Sequence, residues 1–274
     1  MRKNTSKLFT AFLALSMAAF TGCSKDDDKE PEGPKLDAVF TALTASGNLQ
    51  SLNARDLSSS LSSKNITGLQ TGEMILAIDY RPATGQLYGL GSTSRIYVID
   101  MNGVATPVGT GAFSPALTGN VAGFDFNPTV DRIRIVTTSG QNLRANPETG
   151  AIQVVDGNIN GVAGAAISSV AYTNSVAGAT TTVLFDIDAA ANKLYKQDPP
   201  NDGKLVEVGN LGLASAGTDS SFDIAPDGTA LAAVNTGSSS VLYQVNLENG
   251  STMRLGMFKD QIMGIVFPAA TPAK

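Results

Sequence analysis

The segment GFDFNPTVDRIRIVTTSGQNLRANPETGAIQVV (123–155) decides the fold. It holds four short runs rich in apolar residues: 124–128, 133–136, 143–144 and 154–155. Turn residues separate them: Asn127-Pro128, Ser139-Gly140, and Pro147 with Gly150. Runs this short, closed by Pro, Gly and Asn, read as strands joined by hairpins, because glycine accepts positive φ and Asx side chains bond their own backbone. Nothing in the segment carries a helical period.

The same unit recurs along the chain. Its first strand returns at 78–82, 170–172 and 222–226, and its second at 87–90, 184–187 and 231–234. The third carries Ile96-Tyr97, Leu194-Tyr195 and Leu242-Tyr243, and the fourth lies at 107–109, 207–209 and 254–256. Four strands every ~40–50 residues describe a β-propeller blade. The chain ends supply one more. Segments 38–45, 48–53 and 64–68 match strands two, three and four, and 263–267 matches strand one. The expectation is an all-β protein, a five-bladed propeller over 36–268 whose N- and C-termini share one blade, followed by a disordered tail, 269–274. Such closure removes the open edges of the ring. A sixth blade has no room, since 157–182 and 209–221 are too short. A β-sandwich does not require a fixed four-strand period. The Ser-rich run 58–63 reads as a flexible hairpin loop.

The phrases GFDFNPTVDRIRIV (123–136) and GQNLRANPETGA (140–151) resemble the signature of a bacterial domain-of-unknown-function family, numbered four-three-nine-four. ATGQLYGLGS (83–92), AYTNSVAGATTT (171–182) and QDPPNDG (197–203) fit it too. The resemblance covers most of the chain. It implies a propeller-like fold in a secreted or lipid-anchored protein, and no reaction.

The N-terminus reads as an export address. Arg2, Lys3 and Lys7 precede an apolar stretch, 8–20, and then Phe20-Thr21-Gly22-Cys23. This is a secretory signal over 1–22, and the placement of the one cysteine resembles a bacterial lipobox, with Phe20 where leucine is usual. Cys23 is then the acylated residue and the link to a membrane, because several acyl chains anchor stably where one does not. The alternative is a secreted protein with a free thiol at Cys23. A membrane-spanning helix fails on length, since no later segment approaches ~20 apolar residues. Residues 23–35, with Asp26, Asp27, Asp28, Pro31 and Pro34, cannot bury a core and read as a disordered tether. Ser24 after the cysteine favours the outer membrane of a Gram-negative cell, facing the periplasm or the surface. The acidic run reads equally as a surface-export signal or a solvated spacer.

Composition excludes several chemistries. The formal charge is −5, and removing Arg2, Lys3 and Lys7 with the signal (−5 minus 3) leaves −8. A net-negative domain is a poor partner for nucleic acid. There is no histidine, so Ser-His-Asp and Cys-His catalysis are excluded and the commonest zinc ligand is missing. No cofactor is expected. If a metal binds, it is a hard, oxygen-ligated ion such as calcium.

Two constellations carry candidate chemistry. Arg134 and Arg144 lie among apolar residues, with Asp125, Asn127, Asp131, Arg132 and Asn142 nearby. A buried guanidinium must be paired or must reach an opening. One reading is a site for an anionic or hydroxylated ligand. The other is an inter-blade ion pair of Asp125 with Arg134 or Arg144. Separately, Asp79, Asp125 and Asp223 share one phase of strand one, while Ala171 and Val266 take that place in the other blades. They read either as channel carboxylates, binding calcium or supplying acid/base chemistry, or as structural groups bonding backbone amides of an adjacent blade's turn. Tyr97, Tyr195 and Tyr243 read as core residues or as a carbohydrate platform. The function expected first is a non-enzymatic binding or scaffolding module for a glycan, peptide or envelope partner. A calcium-dependent hydrolase or lactonase with its site in the central channel, and a purely structural envelope protein, are the alternatives.

Overall fold

A computed structural model describes residues 35–269. The expected signal peptide (1–22), the expected acylation site Cys23, nearly all of the expected tether and the expected tail beyond Ala269 lie outside the described residues.

Five four-stranded antiparallel sheets stand in a ring, a five-bladed β-propeller. Blade 1 contains β4 (Ile75–Tyr80), β5 (Leu87–Gly91), β6 (Arg95–Ile99) and β7 (Ala105–Val108). Blade 2 contains β8 (Val121–Asn127), β9 (Arg132–Thr137), β10 (Asn142–Ala145) and β11 (Ile152–Val155). Blade 3 contains β12 (Ser169–Tyr172), β13 (Leu184–Asp188), β14 (Lys193–Gln197) and β15 (Leu205–Asn210). Blade 4 contains β16 (Asp219–Ile224), β17 (Ala230–Thr236), β18 (Ser239–Val245) and β19 (Thr252–Met257). Blade 5 has the order β20-β1-β2-β3, so the C-terminal β20 (Ile262–Val266) is the inner strand before β1 (Val39–Thr44), β2 (Asn48–Asn53) and β3 (Ser62–Asn65). Head and tail of the chain thus complete one sheet, as the repeat predicts. The inner strands β4, β8, β12, β16 and β20 contact one another in that order, and β20 returns to β4.

The core is divided into wedges because each blade is apolar on both faces. One cluster, with Tyr88, Leu90, Phe126 and Ile133, fills the space between blades 1 and 2. Tyr172, Leu184, Tyr195 and Val136 fill the next space, and Phe185, Ile187 and Phe222 the one after. Phe40, Leu52 and Leu231 join blade 4 to blade 5, and Leu43, Ile78 and Tyr97 join blade 5 to blade 1. Tyr97, Tyr195 and Tyr243 are all buried, so the core reading holds for them rather than the platform.

One boundary differs from expectation. The outermost strand of blade 5 is Ser62–Asn65, not 64–68, so Ser62 and Ser63 are paired residues rather than loop. Its four positions are all exposed, leaving no apolar alternation to mark it. Thr67 leaves this sheet and bridges Val104 of blade 1.

Candidate functional site

At the end of the ring where the inner strands begin, they surround a cavity of about 250 Å³. Its polar wall comes from Ser168, Ser169, Asp219, Ser220 and Ser221 of blades 3 and 4, with Asn120 beside them. Ser220 Oγ lies 2.6 Å from Ser168 Oγ and 2.7 Å from Ser169 Oγ, a hydroxyl chain across two blades. Asp219 is an exposed residue, yet packing around its carboxyl at the cavity wall partly desolvates it and raises it above its ordinary value, against a hydrogen bond from the Ser220 amide. Among the described residues no lysine or arginine lines this cavity. A larger groove of about 530 Å³ lies between blades 5 and 1, beside Tyr80, Met101 and Pro268.

Toward the other end of the inner strands lie Asp79, Asp125 and Asp223. All three are buried, and one oxygen from each lies within 4.8 Å of the others. Each also accepts an amide from the next blade: Phe126 N to Asp79 at 2.7 Å, Tyr172 N to Asp125 at 3.0 Å, and Phe267 N to Asp223 at 2.5 Å. Their partners are amides in an inner strand or directly after it, not the turn amides expected, because the carboxylate phase of one inner strand abuts the next inner strand. In blade 3 Ala171 holds the same phase, and the Ile224 amide it would serve is taken by Asp223 itself at 2.7 Å. Burial, then mutual repulsion, pushes Asp79 and Asp125 well above the ordinary carboxylate range. Asp223 is raised to about 6, chiefly by burial, with amide bonds opposing. Burial thus favours the protonated form of all three carboxyls, least so in Asp223, and an oxygen-ligated cation would have to displace those protons.

Asp125 stands opposite Arg134 in the β8–β9 register, yet the arginines pair elsewhere. Arg134 Nη1 donates to Asp156 Oδ2 at 2.5 Å, and Arg144 grips the same carboxylate through Nε at 2.7 Å and Nη2 at 2.8 Å. This corrects the expected pair: the carboxylate is Asp156, it belongs to blade 2 itself, and Asp125 is held at the axis by the Tyr172 amide. Arg134 also donates to Tyr172 Oη, Asn142 Oδ1 and Asn201 Oδ1, which stitches blade 2 to blade 3. Its side chain is 1% exposed, whereas that of Arg144 is 26% exposed.

The other candidates are similarly engaged. Asn127 accepts from Thr129, and the Asn142 amide donates to the Gly157 and Pro200 carbonyls. Arg132 bonds Gln153 and the Asp131 carbonyl. Asp131 is taken by Arg81, a buried residue that also pairs with Glu148 and so ties blade 1 to blade 2.

A family profile of a domain of unknown function, DUF4394, matches residues 48–266. The chain belongs to this family. The DUF4394 match takes in all five inner strands and omits β1, the strand that β20 closes upon. No curated protein matches this DUF4394 chain. Among solved structures it is similar to a protein of unknown function from Bacteroides caccae, at 12% identity over 79% of this chain and 71% of that one, with a TM-score of 0.45. It is similar also to the Dos1 propeller, at 16% identity over 78% of this chain and 56% of that one, with a TM-score of 0.41.

Four residues of this DUF4394 chain escaped the sequence reading. Arg81 ends an inner strand, where Asn127 stands in blade 2. Asp156 lies one residue past the expected strand 154–155, on the face that Val154 shares. Asp219 precedes the expected strand 222–226. Asp186 interrupts an apolar second strand where the other complete blades have Gly89, Ile135 and Ala232, and a carboxylate at that position is a visible signal.

Proposed function

We propose that the protein is an exported lipoprotein, anchored through acyl chains on Cys23 to the outer membrane, whose ring is a non-enzymatic binding or scaffolding module. One observation carries this reading. Thr41 pairs with Val266, so the chain comes into the ring where β20 ends, whereas the polar-walled cavity opens where the inner strands begin. The described chain thus enters the ring at the end opposite the cavity mouth, which supports a mouth available to a glycan, peptide or envelope partner. Rigid rings with variable connections suit such presentation.

The test places a photo-crosslinking amino acid at Asn120, on the mouth, or at Val130, at the opposite end, in intact cells. Crosslinks from position 120 and none from 130 support the reading; equal or absent crosslinks from both overturn it. Incorporation of a palmitate analogue, lost in Cys23→Ala, checks the anchor. Failure to label wild type removes the lipoprotein assignment.

A second reading, a calcium-dependent hydrolase, is favoured by the convergence of Asp79, Asp125 and Asp223. A rise in Tm with calcium that Asp125→Ala abolishes supports it, and identical Tm values in calcium and EDTA count against it.

A further inference from the structure

The cavity at the channel mouth has two unlike walls. Leu76, Ala77, Val121, Ala122 and Met263, from blades 1, 2 and 5, form an apolar arc. Facing it are the serine hydroxyls of blades 3 and 4 and Asp219. Asp219 is the one ionisable side chain among the described lining residues, and it is exposed. Further down the same axis the ionisable groups that converge are again carboxylic, Asp79, Asp125 and Asp223.

We propose that this mouth receives an aliphatic primary ammonium, with its alkyl stem along the Leu76–Met263 arc and its charged head on Asp219 and the Ser168–Ser220 hydroxyls. The assignment deepens the binding-module reading and rests on it. An ammonium carries three donors and no acceptor, and the polar wall offers a carboxylate and several hydroxyl oxygens. A charged partner makes the stronger kind of hydrogen bond with Asp219. A carbon stem ending in a charge matches one apolar and one polar wall. An anion meets the Asp219 carboxylate at the mouth with no lysine or arginine among the described lining residues to offset it, so the local field opposes it. A hard divalent ion finds one carboxylate at the mouth, short of the 6–8 oxygens that calcium gathers. The volume sits just below the ~300–1,000 Å³ typical of drug-sized ligand pockets, which fits a side-chain-sized group better than an oligosaccharide. A lysine side chain of a partner peptide and a free diamine share this chemistry.

Calorimetric titration of the full-length protein in detergent at pH 8 tests the assignment. The amine probes are cadaverine and a lysine blocked at both backbone ends. The controls are 1,5-pentanediol and glutarate, neutral and anionic molecules of the same length. Both amines should bind and both controls should not. Asp219→Asn should weaken the amines at least tenfold, and Asn120→Trp, on the exposed rim, should block them. Both variants must keep the wild-type Tm, which their surface positions allow. Tighter binding of the blocked lysine assigns a peptide partner, and tighter binding of cadaverine a free amine. Binding of neither amine, equal binding of pentanediol, or indifference to Asp219→Asn overturns the ammonium assignment. If crosslinks from Asn120 persist while both amines fail, the binding module stands and only its ligand class falls.

Discussion

The Phe267 amide donates to Asp223 Oδ2 at 2.5 Å, which fastens the first residue after the closing strand to the inner strand of blade 4. The same carboxylate takes the Ile224 amide through its other oxygen. One buried group thus serves the ring closure and its own strand. Asp223→Ala strands two buried amides, those of Ile224 and Phe267, at about 1–3 kcal/mol each. A loss of several degrees in Tm is expected, and Asp223→Asn, which keeps the acceptor oxygen, should recover part of it.

Removal of residues 262–274 deletes β20 and with it the inner strand that pairs β1 and contacts both β4 and β16. The ring then presents an open edge at Phe40, Ala42 and Leu43, which are now buried. The truncated chain should show no cooperative thermal transition. A truncated form that melts sharply at the wild-type temperature refutes the closure as the source of stability.

Asp79 and Asp125 hold protons well above the ordinary carboxylate range, and Asp223 up to about 6. The folded state therefore binds more protons than the unfolded chain above about pH 4, where free aspartates ionise. Their stabilising contribution is complete below that pH and is lost as pH rises through the folded values. Tm should fall from pH 5 to pH 8, opposite to a protein held by ionised carboxylates. The double variant Asp79→Asn with Asp125→Asn should flatten the profile. Unchanged slopes would show that the triad does not titrate in this window.

The ring was legible because its signals are local and repeated. Hairpin turns such as Pro147 with Gly150 and Asn246 with Gly250 recur in phase with apolar strands, and a period repeated along the chain leaves few other folds. The shared phase of Asp79, Asp125 and Asp223 was equally visible, and the ring brings these three together. Partner choice was not visible. Arg134 faces Asp125 in register but reaches Asp156, because an arginine side chain spans more than one strand and the carboxylate opposite it already accepts the Tyr172 amide. Sequence position places such groups on a common face and leaves the competition among acceptors to the third dimension. The exposed strand Ser62–Asn65 was misplaced for a simpler reason: with no buried side chain, it carries no pattern.

Asp186 is fully buried on the face of blade 3 that turns to blade 2, and neither of its oxygens has a hydrogen-bond partner. Burial raises its carboxyl to about 8, with Arg134 opposing weakly. Its stabilising contribution is likewise whole below about pH 4 and disappears as pH climbs toward 8, where ionisation of an unpaired buried group costs free energy. Asp186→Asn should be close to neutral at pH 5 and should raise Tm at pH 8.5 by about 2–4 °C, the shift that 1 kcal/mol gives in a chain of this size. Equal effects at the two pH values would deny that Asp186 ionises within this range.

Arg134 and Arg144 share Asp156 but are embedded differently, and this separates their mutants. Arg134 is sealed, with four side-chain partners drawn from two blades. Its removal leaves Asn142 and Tyr172, both buried, short of a donor. Breaking a buried charge pair from one side costs about 3–5 kcal/mol. Arg144 is partly solvated, and without it Asp156 keeps Arg134, so Arg144→Ala should cost under about 1 kcal/mol, as exposed pairs do. The double variant Arg134→Ala with Asp156→Ala should be less damaging than the two single losses added together, because the second change removes the carboxylate that the first leaves poorly paired. Urea denaturation of the wild type, the three single variants Arg134→Ala, Arg144→Ala and Asp156→Ala, and the double variant measures these costs and the coupling. Equal costs for the two arginines would mean that Asp156 alone, and not the seam between blades 2 and 3, sets their worth.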